Sequence, residues 1–305
     1  GRHAVIEYTD DWKQDSERRD FTINAIYLDI NGKIFDPQMG RVDLKNNVVK
    51  FIGDPQKRIE EDYLRIIRFI RFKIMYDIEV EPATGKIIKQ NLDGIKQISK
   101  ERVLIELLKI LDQKNISKIN ENQILREIFS MAFPEFQYLS RLDRLKKVYN
   151  YSKLNKDIIL AVLLLDEKDN YEYFAYKYNV SKKIKNTLEK LSFNLMEIKK
   201  DKNFFEKNLI KNIYLNGKNH LINLNILNFV FNTKLKTKDF SEILKNILKA
   251  KTHKLDIDGK YLMDNGMQEG VLMGKVLKEI EGEWLKNNFQ ISKERVKEII
   301  QAHSY

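Results

Sequence analysis

Two short blocks of charged residues near the start of the chain have the composition of a nucleotide-binding site. Residues 18–25 read RRDFTINA, and residues 60–72 read EEDYLRIIRFIRF. Arginine beside aspartate can hold phosphate oxygens, while the carboxylate and a nearby asparagine amide bond to ribose hydroxyls. The first block therefore predicts a ribose and phosphate site built from Arg18, Arg19, Asp20 and Asn24. The competing interpretation is that this Arg-Asp pair braces the end of a strand.

The second block places a carboxylate and a guanidinium three positions apart on a helix predicted from about Pro55 to Tyr76. At that spacing Asp62 and Arg65 share one helical face, where an acceptor and a forked donor can meet a base edge together. Cytosine and adenine present an amino donor beside a ring-nitrogen acceptor, and uracil and guanine present the reverse, so this pair can accept C and A. Glu61, four residues before Arg65, is placed to orient the guanidinium. The alternative is a weak surface ion pair.

The helix itself is predicted from its apolar period and from its first turn. Pro55 suits a first helical position, and Asp54 just before it is a candidate N-cap. The residues expected to form the buried stripe are Ile59, Tyr63, Ile66, Ile67, Ile70 and Ile74. The opposite face is expected to carry Arg58, Glu61, Asp62, Arg65 and Arg68. The charged residues of the second block thus fall on one side of one predicted helix.

Both blocks resemble signature motifs of the class II tRNA nucleotidyltransferases, which include the CCA-adding enzymes and the bacterial poly(A) polymerases. The resemblance implies that Glu61, Asp62 and Arg65 act as a protein template for an incoming CTP or ATP. It also implies that Arg68 faces the triphosphate and that Arg19, Asp20 and Asn24 contact ribose and phosphates. Because an eight-residue match stands beside a second motif, chance recurrence is improbable.

Two further segments are similar to motifs of the same family and are interpreted as structural. Asp36-Pro37, Gly40 and Asp43-Leu44 resemble the turn that links head to neck. Ser99, Glu101-Arg102 and Glu106-Leu107 resemble the neck motif S-x-ER-x-x-x-EL. Ser99 is also a good helix start, because its hydroxyl can accept from a first-turn amide.

The catalytic centre of that family is expected to be missing from this chain. Family members carry a Gly-rich loop and a metal-binding Asp-x-Asp upstream of the first block, whereas this chain opens at Gly1, 17 residues before it. We therefore expect no catalytic residue and no metal ligand here, with the Mg²⁺ ligands in an upstream segment. Nucleotidyl transfer by this chain alone is not expected, and a separate N-terminal catalytic half is a possible partner. Asp256-Ile257-Asp258 has a similar spelling but is interpreted as a solvated turn.

The excess positive charge is confined to one stretch of the chain. The net charge is +11, and residues 181–254 contain 17 lysines, no arginine and six acidic residues, which accounts for all of it (17 − 6 = 11). Ammonium groups suit contacts to phosphates that do not read sequence. The resemblance implies that this stretch binds tRNA, and the named candidates are Lys199, Lys200, Lys202, Lys234, Lys236 and Lys238. A solvated lysine-rich surface is the equal alternative.

Composition limits the remaining possibilities. The chain has no cysteine, which excludes disulfides, zinc-thiolate sites and cysteine nucleophiles and suits a reducing compartment. The longest apolar run, from Ile158 to Leu165, is too short to span a membrane, so a cytoplasmic protein is expected. A strand from Ala4 to Thr9 and an Asn31-Gly32 hairpin are predicted before Pro55. Helices are predicted after it, among them helices near residues 170–178 and 271–286, with connecting loops at the asparagine-rich residues 115–122 and 216–225.

The expected fold is α+β, with a truncated nucleotidyltransferase α/β head followed by a mostly helical neck, body and tail. The predicted divisions are residues 1–51 for the head, 52–115 for the neck with the nucleotide-selecting helix, 116–190 for the body and 191–305 for a tRNA-binding tail. The expected function is CCA addition to the 3′ end of tRNA with CTP and ATP as substrates. Two alternatives remain open: a poly(A) polymerase, and a non-catalytic RNA-binding fragment or one half of a split enzyme.

Overall fold

The computed structural model describes residues 11–148, 154, 156–166 and 168–303, and the strand predicted at Ala4 to Thr9 lies outside them. The described chain is mostly helical with one small sheet, as the sequence predicts. Its helices are α1 Trp12–Glu17, α2 Gly40–Lys45, α3 Pro55–Glu61, α4 Leu64–Tyr76, α5 Pro82–Gln90, α6 Lys100–Leu111, α7 Gln123–Ala132, α8 Arg141–Leu145, α9 Lys156–Leu164, α10 Asn170–Tyr178, α11 Lys182–Lys200, α12 Leu209–Asn216, α13 Lys218–Phe231, α14 Thr237–Lys249, α15 Gly259–Asp264, α16 Val271–Lys286 and α17 Lys293–Ala302. Within the described residues, no helix combines the length and the apolar character needed to cross a bilayer.

The chain divides into two compact units. The first comprises residues 1–195 and 226–237, and the second comprises residues 196–225 and 238–305. The chain passes between them three times, within α11, within α13 and at the start of α14. The first crossing lies close to the predicted body-tail boundary at residue 190, but the four-part division itself stays a prediction.

The sheet is the predicted hairpin. Strands β1 (Tyr27–Leu28) and β2 (Ile34–Phe35) pair antiparallel, with Tyr27 opposite Phe35 and Leu28 opposite Ile34. The Asp29 carboxylate holds the loop by accepting from the backbone amides of residues 31 and 33, at 2.9 and 2.7 Å. Gly32 has a φ of +81°, a left-handed conformation that favours glycine. A hairpin loop that contains Asn31-Gly32 therefore joins these strands, as predicted.

The helix predicted from Pro55 to Tyr76 is in fact two helices, and this corrects the sequence analysis. Asp62 between them has extended backbone angles, φ −156° and ψ 102°, which end α3 at Glu61. Its carboxylate accepts from the amide of Leu64 at 3.2 Å, a local bond that competes with continuation of the helix. Asp62 and Arg65 consequently do not share one continuous helical face: Asp62 lies at the break, and Arg65 lies in the first turn of α4.

The apolar stripe of the second block is nevertheless buried as predicted. Ile59 in α3 and the four isoleucines of α4 are fully buried, while Tyr63 at the break is half-buried. The α4 helix begins beside Gly94, where an added Cβ would lie 2.1 Å from the Tyr63 ring. Asp54 accepts from the amide of Lys57 at 2.9 Å, which confirms the predicted N-cap before Pro55.

An aromatic cluster joins the first block to α4. The Phe51 and Phe69 rings stack with centroids 5.5 Å apart, and Phe21 lies 4.8 Å from Phe51 and 5.4 Å from Phe72. Phe21 also forms an isolated antiparallel bridge with Phe51. Because Phe21 is fully buried, the backbone of residue 20 is fixed against the packed face of α4. This packing sets the position of the Asp20 carboxylate.

The two asparagine-rich stretches expected to be loops are more ordered than predicted. Residues 218–225 belong to α13, where Leu221 and Leu224 are fully buried, so only the start of the stretch 216–225 is a connection. The amide of buried Asn225 donates to the carbonyl of Phe240 at 3.0 Å, which offsets the cost of burying it. The other stretch contains a 3₁₀ helix, Ile116–Asn120. The prediction of loops from asparagine content was wrong because the packing of leucine and isoleucine side chains determines the structure of these segments.

Replacing Gly40 by alanine should lower the free energy of unfolding by about 1 to 3 kcal/mol, measured by urea denaturation. An added Cβ would lie 2.2 Å from the carbonyl oxygen of Thr22, which belongs to backbone and cannot rotate away. Gly274 in α16 is the matched control, because nothing lies within 4 Å of its added Cβ, and Gly274→Ala should be neutral or stabilising. An equal loss of stability in the two variants would contradict the close contact between Gly40 and the carbonyl oxygen of Thr22.

Candidate nucleotide-binding site

The Asp20 carboxylate is the buried centre of the first block. It accepts from the backbone amide of Phe21 and the side-chain amide of Asn24, both at 3.0 Å, and from Nε of Arg68 at 2.5 Å. Burial alone would raise the pKa of Asp20, but the hydrogen bonds from Arg68 and Asn24 outweigh it and hold the pKa below its ordinary value. Asp20 is therefore an ionised acceptor that ties the first block to α4.

The two arginines of the first block donate to the same carboxylate. Arg18 donates to Asp15 at 2.6 Å, and Arg19 donates to Asp15 at 2.9 Å. The hydroxyl of Tyr27 donates to the same carboxylate at 2.7 Å and, with the two arginines, lowers the pKa of Asp15 to about 2. The Arg18 and Arg19 side chains remain 71% and 44% exposed, so solvent reaches both guanidinium groups.

The predicted ion pair between Glu61 and Arg65 is present, and Arg58 joins it. Oε2 of Glu61 accepts from Nη1 of Arg65 at 2.5 Å and from Nη1 of Arg58 at 2.6 Å. Burial would raise the pKa of Glu61, but the Arg65 hydrogen bond and the Arg58 charge lower it. Nη1 of Arg65 also donates to the carbonyl of Arg58 at 2.6 Å, so its guanidinium is held from two sides.

Asp62 has a different partner from the one that helical spacing predicts. Its Oδ2 accepts from Nη2 of Arg102 at 2.6 Å, and Arg102 lies in the first turn of α6. Ser99 caps that helix by accepting from the amide of Arg102 at 3.4 Å, as predicted. Glu101 of the same motif is exposed. The neck motif thus meets the second block at Asp62.

Arg68 connects Asp20 to a second buried carboxylate. Its Nη1 lies 3.8 Å from Oε1 of Glu106, which is 4% exposed, and Nε of Arg71 lies 2.9 Å from Oε2 of Glu106. Lys109 approaches the same carboxylate at 2.8 Å. Arg68 itself is 30% exposed, so one side of its guanidinium stays open to solvent. Glu106 therefore orients Arg68 and Arg71 from α6.

The segment from Asp36 to Leu44, which resembles the head-to-neck turn, contacts the first block. Asp36 accepts from the amides of Gly40 and Arg41 at 2.8 and 2.9 Å, which fixes the start of α2. Asp43 in that helix accepts from the Thr22 hydroxyl at 2.6 Å. The structural interpretation of Asp36, Gly40 and Asp43 agrees with these contacts.

The lysines predicted to bind RNA are all exposed and belong to both compact units. Lys199 and Lys200 end α11, Lys202 follows it, and Lys238 lies in α14, all within the second unit. Lys234 and Lys236 lie between α13 and α14 and belong to the first unit. Each position is open to a solvent-borne partner.

The Asp256-Ile257-Asp258 segment is not a turn but an irregular stretch that leads into α15, with both aspartates exposed as expected. Asp258 accepts from the amide of Tyr261 at 2.9 Å and caps α15. Within residues 11–148, 154, 156–166 and 168–303, no group of three histidine or acidic side chains is arranged to hold a metal ion.

Comparison with known proteins connects this geometry to a family. A family model described as "Poly A polymerase head domain" matches residues 2–50, and one described as "Probable RNA and SrmB- binding site of polymerase A" matches residues 77–139. CCA tRNA nucleotidyltransferase 1, mitochondrial, of Danio rerio is 28% identical over 309 residues, covering 97% of this chain and 68% of the relative. The CCA-adding enzyme of Staphylococcus haemolyticus is 28% identical over 297 residues, covering 94% and 72%. These matches support assignment of the chain to the class II CCA-adding enzyme family.

Solved structures of that family have the same fold. The crystal structure of Bacillus stearothermophilus CCA-adding enzyme in complex with CTP matches with a TM-score of 0.68 at 22% identity, covering 97% of this chain and 75% of that one. Thermotoga maritima CCA-adding enzyme complexed with tRNA matches with a TM-score of 0.58 at 24% identity, covering 95% and 74%. At these identities the likeness establishes the fold alone.

Sequence reasoning missed three residues that shape the site: Arg58, Asp15 and Glu106. Helical spacing predicts that Arg58 lies on the charged face of its helix but gives it no role. In the structure Arg58 is nearly buried and forms an ion pair with Glu61. Asp15 lies three and four residues before the paired arginines, a helical spacing that could have identified it. Glu106 was recognised as part of a motif, but its contacts with α4 depend on tertiary packing.

Proposed function

We propose that this chain acts in CCA addition: it binds the CTP or ATP whose CMP or AMP is transferred to the 3′ end of a tRNA. Relatives covering most of its length are named CCA tRNA nucleotidyltransferase or CCA-adding enzyme. Structures of the same fold are described in complex with CTP, with ATP and with tRNA. These names favour CCA addition over poly(A) addition and over a binding-only role.

One observation carries the proposal: the two charged blocks, separated in sequence, meet in space. Arg68 of α4 donates to Asp20, and Nη2 of Arg65 lies 3.4 Å from the carbonyl oxygen of Arg18. A nucleotide carries its base at one end and its phosphates at the other, so a site for it needs base-reading groups and phosphate-binding groups on one surface. The convergence of residues 18–24 with residues 58–68 supplies both.

The base would be read at the start of α4. An ionised carboxylate offers about four lone-pair sites, so Asp62 can accept from a base amino group while it stays paired with Arg102. Arg65 would donate to the ring nitrogen beside that amino group, held by Glu61 as in the unliganded protein. This order of acceptor and donor matches cytosine and adenine and opposes uracil and guanine.

The ribose and phosphates would be held by the first block and by Arg68. Asp20 and Asn24 are linked to each other and lie next to the exposed arginines, so a ribose hydroxyl could exchange with the Asn24 amide at the carboxylate. Arg18, Arg19 and Arg68 would bind phosphate oxygens through charge-assisted bonds. Because Asp15 holds both arginines in the unliganded protein, phosphate competes with it for them.

A metal site is a separate requirement of the family's reaction. Mg²⁺, which the resemblance implies, would supply activation of a hydroxyl and neutralisation of the departing pyrophosphate. The described residues offer no cluster of carboxylates that could ligate it, so they do not fit the ion. What this chain supplies is selection of the base and orientation of the nucleotide.

Calorimetric titration with the four nucleoside triphosphates tests the proposal. The chain should bind CTP and ATP about 10-fold or more tightly than GTP and UTP, because one bidentate base contact discriminates by roughly 1 to 3 kcal/mol. Deoxy-CTP should bind more weakly than CTP if the first block holds the ribose. Equal affinity for all four triphosphates would contradict the proposal.

We further propose that the lysine-rich stretch holds tRNA by its phosphates. Replacing Lys199, Lys200 and Lys202 by glutamine should weaken tRNA binding and reduce the slope of log K against log salt by roughly 0.7 to 0.9 per lost contact. The matched control replaces three exposed lysines outside both this stretch and residues 77–139, namely Lys33, Lys45 and Lys50, and removes the same charge. Identical slopes in the two triple variants would favour a merely solvated surface.

A further inference from the structure

Arg58 is a nearly buried arginine that no base-reading or phosphate-binding role requires. Its side chain is 11% exposed and lies in α3, one turn before Glu61. Its Nε is buried and has no hydrogen-bond partner within the described part of the chain. Burying a guanidinium is costly unless its remaining donors are well used. The contacts of its two Nη atoms therefore indicate what the residue does.

Those donors reach both charged blocks at once. Nη1 donates to Glu61 at 2.6 Å, within the base-reading block. Nη2 donates to the backbone carbonyl of Glu17 at 3.1 Å, just before the ribose and phosphate block, and to that of Arg19 within it. One planar group thus spans segments about 40 positions apart in sequence, and its fork satisfies acceptors in different directions.

The backbone of Arg58 extends the same link. Its carbonyl accepts from Nη1 of Arg65, so the guanidinium proposed to read the base is tied to the residue that holds the first block. Arg65 also donates to Glu61, which closes a cycle of three residues, with the backbone carbonyl of Arg58 as one of the acceptors. Movement of residues 17–19 would consequently be transmitted to Arg65 through Arg58.

The reaction depends on how precisely the base-reading groups are positioned relative to the phosphate-binding groups. A misplacement of about 1 Å can lower a rate by roughly 100-fold, although no contact to the reacting atoms is lost. A frame that fixes the base-reading pair relative to the phosphate-binding arginines prevents such a shift. In that frame, occupation of one end favours occupation of the other.

We propose that Arg58 is a positioning residue that couples the ribose and phosphate block to the base-reading pair, so that CTP engages both ends cooperatively. This inference rests on the proposed function. A lysine at this position keeps the charge but offers one compact ammonium in place of the planar fork, so it cannot hold Glu61 and both carbonyls together.

A double-mutant cycle on CTP binding tests the coupling. Arg19→Gln weakens the phosphate end and Asp62→Asn weakens the base end, and neither removes an acceptor of the Arg58 side chain. With Arg58 present, the combined loss of CTP affinity should be smaller than the product of the single losses by about 5- to 10-fold. In the Arg58→Lys background, the combined loss should equal the product within about twofold.

The controls separate positioning from a general loss of structure. Lys57→Gln alters the exposed neighbour on the same helix and should leave the coupling intact. If Arg58→Lys does not fold, Arg58→Gln keeps one amide donor and should show the same loss of coupling. Coupling that persists undiminished in the Arg58 variants, or its absence from the unmodified protein, would overturn this inference while leaving CTP binding in place. Failure of the unmodified protein to bind CTP would overturn the proposed function, and this inference with it.

Discussion

Arg65→Ala should abolish the preference for CTP and ATP over GTP and UTP. Glu61 and the carbonyl of Arg58 hold the Arg65 guanidinium, so its donors are oriented by the protein itself. Losing that oriented donor removes roughly 1 to 3 kcal/mol of discrimination, which corresponds to about 5- to 150-fold in relative affinity. Calorimetric titration of the variant with each triphosphate gives the ratio directly.

The loss should be specific to the base. Arg65→Ala should change tRNA affinity by much less than it changes the CTP to UTP ratio, because tRNA phosphates are assigned to other cations. Arg41→Ala removes an exposed arginine from α2, outside residues 77–139, and serves as the matched control, with both quantities unchanged. A variant that loses tRNA affinity and nucleotide discrimination in equal measure would count against a base-reading role for Arg65.

Asp20→Ala should be the most destabilising of the substitutions in the first block. The carboxylate accepts from the amide of Phe21, from Asn24 and from Arg68, and its side chain is 9% exposed. Removing it leaves a buried amide without its acceptor and a guanidinium without its nearest anion. We expect the free energy of unfolding to fall by about 3 kcal/mol, since Arg68 remains partly solvated and has Glu106 nearby. Urea denaturation monitored by circular dichroism measures the change.

The same carboxylate predicts how stability depends on pH. The pKa of Asp20 is lower in the folded protein than in the unfolded chain, so its contribution is fully present above the unfolded value of about 3.9. As pH falls through the lowered folded pKa, the contribution is lost. The stability difference between the unmodified protein and Asp20→Asn should therefore shrink below about pH 4. A difference that stays constant down to pH 2 would contradict the ionised network.

An exposed acidic residue provides the control for that experiment. Asp93 forms an ion pair with Lys96 at 2.6 Å, and the two side chains are 91% and 81% exposed. Exposed pairs contribute little because water and salt screen them. Asp93→Asn should thus leave the unfolding curve unchanged at neutral pH, and a loss comparable to that of Asp20→Ala would indicate a nonspecific charge effect.

Much of the fold could be predicted because local sequence and final packing agree there. The predicted helices at residues 170–178 and 271–286 have the bounds of α10 and α16, since apolar spacing and packing agree on these segments. The hairpin around Asn31-Gly32 follows from a turn that needs a left-handed residue. The buried isoleucines of α4 follow from their period.

The break at Asp62 could not be predicted from the period alone. Apolar spacing continues through it, from Ile59 to Ile66, so the pattern indicates one helix. What ends α3 is a local bond from the carboxylate to the amide of Leu64, together with a long-range pair to Arg102, 40 positions away. Contacts at that separation depend on how α6 packs, and no spacing in a single sequence encodes them.

The bridging role inferred for Arg58 was invisible for a similar reason. Its acceptors in the first block are backbone carbonyls, which every residue has, so no residue type at positions 17 or 19 identifies them. By contrast, the pairing of Glu61 with Arg65 follows from helical spacing, and the structure contains it. Side-chain pairs between residues close in sequence were therefore predictable, whereas the contacts that bring the two blocks together were not.

The most direct measurement is a crystal structure of this protein with CTP bound. The account predicts that the Asp62 carboxylate accepts from the cytosine amino group, that Arg65 donates to the adjacent ring nitrogen, and that the triphosphate lies against Arg18, Arg19 or Arg68. A cytosine whose pairing edge points away from Asp62 and Arg65 would contradict it.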